Sequence, residues 1–173
     1  TCALPIYCHV GHARAYVAFD MMRRYLMHQG FHVNYVQNFT DIDDKIIQRA
    51  QENQVSVDQL TQENIQRFYT EMDALNILRA DAYPRATAHI PQIIALIETL
   101  IQNNHAYPID GDVCFAIDTF PGYGKLSKKV LEDLEAGARV DVTSSKRNPL
   151  DFVLWKASKP GEPSWESPWG KGR

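Results

Sequence analysis

An α/β fold with a parallel sheet layer and a mixed insertion is the class predicted by three observations. Helical and strand-like segments alternate from the first third of the chain onward. Apolar residues make up 45% of 173 residues, enough for a buried core. Two polar motifs fall at a strand-to-helix junction and at a helix start, where open α/β sheets place their ligands.

The elements follow in order. A helix is predicted over Gly11–Gln29, with Ala18, Met21, Met22, Tyr25 and Leu26 on one face and Gly30 as its stop. Phe31–Phe39 is rich in aromatic and branched residues and reads as a strand. A helix over Asp43–Asn53 comes next. Ser56 with Gln59 resembles a capping box opening a helix through Leu75, and Pro91 suits the first turn of another through Gln102. Asp110-Gly111 makes a tight turn before a strand over Val113–Ile117. Ser127 caps a short helix ending at Gly137, Asp151–Trp155 is a final strand, and Lys159–Arg173 is mostly loop.

Composition narrows the function classes. Eighteen basic against 21 acidic residues give a net charge of -3, which excludes a polybasic nucleic-acid or membrane-surface protein. Residues 1–124 carry 8 basic and 14 acidic side chains, whereas 125–173 carry 10 and 7, so on charge alone the last third is the place to look for a phosphate-facing surface. No apolar run approaches the roughly 18 residues of a spanning helix, and the start lacks a signal-peptide layout, so a cytoplasmic protein is expected. Cys2, Cys8 and Cys114 form neither a disulfide framework nor a cysteine zinc site.

The first chemical motif is His9-Val10-Gly11-His12 at the start of the first helix. A helix N-terminus presents unpaired N–H groups and partial positive charge, glycine admits a phosphate to the backbone, and two histidines three apart offer donors to the same oxygens. Two histidines there also serve as plain polar caps, and the motif alone does not separate the two roles.

The second is Asn38-Phe39-Thr40-Asp41-Ile42-Asp43-Asp44-Lys45, after a strand and opening a helix. Asp41 and Asp44 fit a first helical turn, where they favour the dipole. Thr40 is the candidate ligand contact, a short hydroxyl at the carboxyl end of a strand. The acidic residues are not assigned a metal. In the third motif, Arg147 to Lys156 with Trp165 to Arg173, Trp155 reads as core, and Trp165 and Trp169 pin a loop, line a cleft or face nucleic acid, the first being favoured.

Together these segments resemble the N-terminal part of bacterial-type cysteinyl-tRNA synthetases, a class I aminoacyl-tRNA synthetase family. The match runs from Tyr7 to Arg173: Cys8 to Arg14, where Val10 replaces the isoleucine of His-Ile-Gly-His; Tyr35 to Ile47 with Asn-Phe-Thr-Asp-Ile-Asp-Asp-Lys; Phe68 to Leu78; Pro84 to Thr87; Ala136 to Val140; Lys146 to Lys156; and Gly161 to Arg173.

The resemblance implies a Rossmann-like class I catalytic domain, a parallel sheet with flanking helices interrupted by a connective-peptide insertion. Residues 7–85 would be its first half, 86–150 the insertion, and 151–173 the return toward the core. Residues 1–6 depart from the family pattern at Thr1, Ala3 and Pro5 and read as foreign to it.

The implied activity is ATP-dependent activation of cysteine to cysteinyl-adenylate, then transfer to tRNA(Cys), by a monomeric cytoplasmic enzyme using Mg-bound ATP. His9 and His12 would be catalytic, His9, Val10, Gly11 and His12 would bind ATP, and Thr40 would contact bound cysteine. The family's zinc would hold the substrate thiolate, but its ligands and the second signature, Lys-Met-Ser-Lys-Ser, match no position of this chain. No metal ligand is expected here, and the fragment is expected to be inactive alone. The competing readings are a related ATP-dependent ligase joining cysteine to an amino sugar, and a non-catalytic interaction module that kept the fold.

Overall fold

The computed structural model describes residues 2–3, 9–126 and 146–173, and the expected Ser127–Gly137 helix lies outside them. The chain divides into two compact units, residues 1–89 and 90–173.

In the first unit, β1 (Cys2–Ala3) pairs in parallel with β2 (Phe39–Thr40), Cys2 opposite Phe39 and Ala3 opposite Thr40. Between them α1 spans Val10–His28. It ends where glycine predicts: Gly30 adopts φ 86°, Phe31 N–H reaches Leu26 O and Gly30 N–H reaches Met27 O, the paired bonds of a Schellman stop. Most of the Phe31–Phe39 segment is not strand. Gln37 N–H bonds Ala82 O and Phe39 N–H bonds Pro84 O; in that register the intervening donor would be residue 84, and proline has no N–H. The parallel ladder is thereby reduced to isolated bridges at Val36–Ala82 and Phe39–Arg85.

Two capped helices complete this unit. The Asp43 carboxylate accepts Ile46 N–H at 2.7 Å to open α2 (Asp44–Glu52), and Ser56 Oγ accepts Gln59 N–H at 3.0 Å to open α3 (Val57–Ala74). Their inner faces, Ile46 and Ala50 with Leu60, Ile65, Phe68 and Met72, close over Phe39, which has no exposed surface. Phe39 stacks on Tyr83 at 5.1 Å and meets Phe68 edge-on at 5.3 Å. The most deeply packed ring of the unit thus sits one residue before Thr40.

The faces of α1 are inverted relative to a usual amphipathic helix. Its buried residue is Arg23, bonded to Arg79 O at 2.7 Å and Asp81 Oδ2 at 2.8 Å, while Met21, Met22, Tyr25 and Leu26 are exposed.

The second unit opens with α4 (Ile90–Gln102) and continues into β3 (Ala106–Ile109), β4 (Asp112–Phe115) and β5 (Phe152–Trp155). These form a three-stranded sheet in the order β3-β4-β5, and both pairings are antiparallel. This corrects the expected parallel sheet: the parallel pairing of β1 with β2 is only two residues long on each strand. The cause is local. Asp110 (φ 50°) and Gly111 (φ 85°) join β3 to β4 in two residues, a connection that only antiparallel neighbours can use, because parallel strands need a crossover of a dozen or more. β3, which holds Pro108, was not among the expected strands, and its hairpin fixes the antiparallel sense of the β3–β4 pair.

Ile90 and Ile97 of α4 pack on Ala106, Val113 and Trp155, joined by Trp165 and Trp169 from the closing loop. Lys156 and Arg173 exchange backbone hydrogen bonds at 2.8 and 2.9 Å, as do Trp165 and Gly172 at 2.8 and 3.0 Å, so the tryptophans pin the loop. A Cβ on Gly172 would lie 2.3 Å from Trp155 Nε1 and 2.5 Å from Lys156 O, so only glycine permits this approach. Among the described residues no helix is long and apolar enough to cross a membrane.

Candidate functional site

His9 is the N-cap of α1, with extended backbone (φ -113°, ψ 172°). Its Nδ1 accepts Gly11 N–H at 3.1 Å, and His12 Nδ1 accepts His9 N–H at 3.4 Å. The two imidazoles lie with centroids 4.0 Å apart, tilted by 31°. This is a capping box built from histidines, in which each ring takes the acceptor role that Ser and Glu usually fill. Since both Nδ1 atoms accept, the hydrogen-bond network assigns the neutral tautomer with the proton on Nε2, leaving one Nε2–H donor per ring.

Gly11 is required by this arrangement. A Cβ there would stand 2.9 Å from His9 Cε1 and 3.1 Å from its Nδ1, so a side chain at 11 would push the ring off the backbone it caps. His9 and Gly11 are exposed, and Val10 is 86% exposed. No acidic residue lies in the first turn. The helix N-terminus therefore keeps its partial positive charge, an environment suited to an anion.

Thr40 is half-buried at the end of β2, beside the fully buried Phe39. Of the predicted residues, His9, Val10, Gly11 and His12 are gathered at one helix start, whereas Thr40 stands on a different element of the same unit.

The acidic residues following Thr40 divide their roles in a way the sequence did not reveal. Asp43, not Asp41, caps α2. The Asp41 carboxylate is 4% exposed and turns to Thr87, accepting its hydroxyl at 2.6 Å and its N–H at 3.1 Å. No local spacing signals a partner 46 residues away; the only hint was that Thr87 closes the Pro84-Arg85-Ala86-Thr87 motif. Among the described residues no group of three or more His, Cys, Asp or Glu side chains comes together to hold a metal. Cys114 is a buried free thiol in the second unit, and burial raises its pKa.

A glycine between two mutually capping histidines at a helix start, with a Thr-Asp strand end in the same unit, suits an α/β domain that handles a nucleotide. The family model described as tRNA synthetases class I (C) catalytic domain matches residues 1–173, and the chain belongs to that family. The chain is 61% identical over 175 aligned positions to the cysteine–tRNA ligase of Proteus mirabilis, and 58% identical to those of Pectobacterium carotovorum and Legionella pneumophila. In each case 99% of this chain is covered but 38% of the relative, so the chain spans under two-fifths of their length.

Proposed function

We propose that this chain is part of the catalytic domain of a cysteine–tRNA ligase and carries its ATP-phosphate contacts. The observation that carries the reading is the reciprocal capping of His9 and His12 around Gly11. In the reaction, the cysteine carboxylate attacks the α-phosphorus of Mg-bound ATP, cysteinyl-adenylate forms and pyrophosphate leaves. The terminal ribose hydroxyl of tRNA(Cys) then attacks the acyl carbon and AMP departs. His9 and His12 donate Nε2–H to phosphate oxygens as negative charge shifts toward the leaving pyrophosphate, the backbone at Val10 and Gly11 lines the same phosphates, and the Thr40 hydroxyl contacts the bound amino acid.

Residues 86–150 are assigned to a connective-peptide insertion, and the setting is cytoplasmic translation by a monomeric enzyme. Zinc discrimination of thiol from hydroxyl belongs to the complete protein: the donors among the described residues do not fit a zinc shell, and no step here runs through the metal. On the same proposal the chain alone does not carry out cysteine-dependent exchange of pyrophosphate into ATP.

The test is calorimetric titration of the chain with MgATP beside a His9→Ala, His12→Ala variant. Binding by the chain that the double variant loses is the expected result. Equal binding by both, or none by the parent chain, overturns the assignment of these histidines to ATP.

A further inference from the structure

Asp41 follows Thr40 directly, and its carboxylate is almost wholly withdrawn from water. Among the described residues its side-chain hydrogen bonds come from one residue, Thr87, through the hydroxyl at 2.6 Å and the amide at 3.1 Å. Thr61 Oγ also approaches Asp41 O at 3.4 Å. Burying a carboxylate without a cationic partner is a poor route to stability, since desolvation offsets most of what the hydrogen bonds return. It is an effective way to hold one geometry, because a charge-assisted O–H···O bond is short and directional.

The geometry held is that of Thr40. On its N-terminal side, Phe39 is locked by full burial and by its N–H to Pro84 O at 2.9 Å. On its C-terminal side, Asp41 is tied to Thr87, three residues beyond Pro84. Both neighbours of Thr40 are therefore anchored to the same short segment, 84–87, and Asp43 begins α2 immediately afterwards. Simple helix capping does not require this, because Asp43 already caps α2.

We propose that Asp41 and Thr87 are a positioning pair that sets the Thr40 hydroxyl for the amino-acid substrate. The proposal rests on the reading of Thr40 as the cysteine contact and adds two residues that act through it. Neither touches the reacting atoms.

The test grafts this chain in place of the matching segment of the Proteus mirabilis relative and measures cysteine-dependent pyrophosphate exchange. Thr87→Val removes the hydroxyl donor while keeping shape and the N–H. It is expected to raise KM for cysteine about tenfold, the worth of one such bond, with kcat and KM for ATP within about twofold. Thr87→Ser, which keeps the donor, restores the parent value, and Asp41→Asn behaves like Thr87→Val. A Thr40→Val arm separates the two ideas. If it leaves KM for cysteine unchanged, the reading of Thr40 fails; if it raises KM while Thr87→Val and Asp41→Asn do not, the reading stands and the positioning pair is overturned. Independently of the graft, hydrogen–deuterium exchange on the chain itself should quicken at amides 39–43 in Thr87→Val but not in Thr87→Ser, with 106–115 unaffected. Unchanged exchange at 39–43 also overturns the pair.

Discussion

The Tyr107 hydroxyl donates to Asp151 Oδ2 at 2.7 Å while accepting Arg147 N–H at 2.9 Å, so one phenol ties β3 to the chain entering β5. Asp151 is 3% exposed and fully engaged: Oδ1 accepts Ile117 N–H at 2.8 Å and Oδ2 also accepts Asn148 N–H at 3.1 Å. Tyr107→Phe removes one partner from a buried carboxylate and is expected to cost about 1–2 kcal/mol. Asp151→Ala strands three donors at once and should cost about 3 kcal/mol or more. Urea unfolding read by tryptophan fluorescence measures both, since the buried Trp155 closes β5, the strand that Asp151 leads into.

Burial makes Tyr107 a late-titrating phenol, its pKa pushed up to about 12, with the Arg147 N–H opposing and the Asp151 carboxylate adding. The folded value lies above the ordinary value of 10, so the neutral phenol is the form that folding favours. Its contribution to stability is whole below pH 10 and is lost as pH rises from 10 toward 12. Ultraviolet titration of tyrosinate should show one step near 12 that Tyr107→Phe abolishes. If the variant keeps that step, the phenol responsible is another one.

On α1 the usual assignment of face to role is reversed, and substitutions should follow the structure. Arg23 bonds Arg79 O and Asp81 Oδ2 from a buried position, and its guanidinium lies 5.5 Å from the Tyr35 ring centroid. Arg23→Ala is expected to cost about 2 kcal/mol. Met21 is 65% exposed, so Met21→Gln should change stability by less than about 0.5 kcal/mol. Chemical denaturation of the two variants side by side checks this, and a larger loss for Met21→Gln would mean that the apolar face is covered within the folded chain.

What the sequence made legible was local. Gly30, Ser56 and the Asp110-Gly111 turn act through bonds spanning a few residues, and the limits of the first four helices and of the strand after the turn were read within two residues. The capping of His9 and His12 around Gly11 runs through bonds just as short in sequence. What was missed depends on distant partners. The apolar residues of α1 were given one face, but Arg23 is the residue it buries, because its acceptors are Arg79 and Asp81, and Asp41 was given a first-turn role because Thr87 is 46 residues away. The sheet's sense was misread because it was inferred from the alternation of helices and strands and from the family resemblance, whereas β3, which holds Pro108 and was not expected as a strand, pairs antiparallel with β4.

Gly11→Ala sets two opposing effects against each other. Alanine in the first turn of a helix gains at most about 1 kcal/mol over glycine. The new Cβ would stand 2.9 Å from His9 Cε1, so the ring must leave, and the cap it makes to Gly11 N–H is lost at a similar cost of about 1 kcal/mol. The net change in stability is therefore expected to be small. MgATP affinity has no such compensation: a methyl group then occupies the backbone approach, and the His9 Nε2–H is displaced from His12, so binding should fall by more than about tenfold. Calorimetry and thermal unfolding on the same variant read the two quantities separately. Unaltered affinity at unaltered stability would show that the helix start is a cap and nothing more, whereas lost affinity at unaltered stability assigns Gly11 to the phosphates.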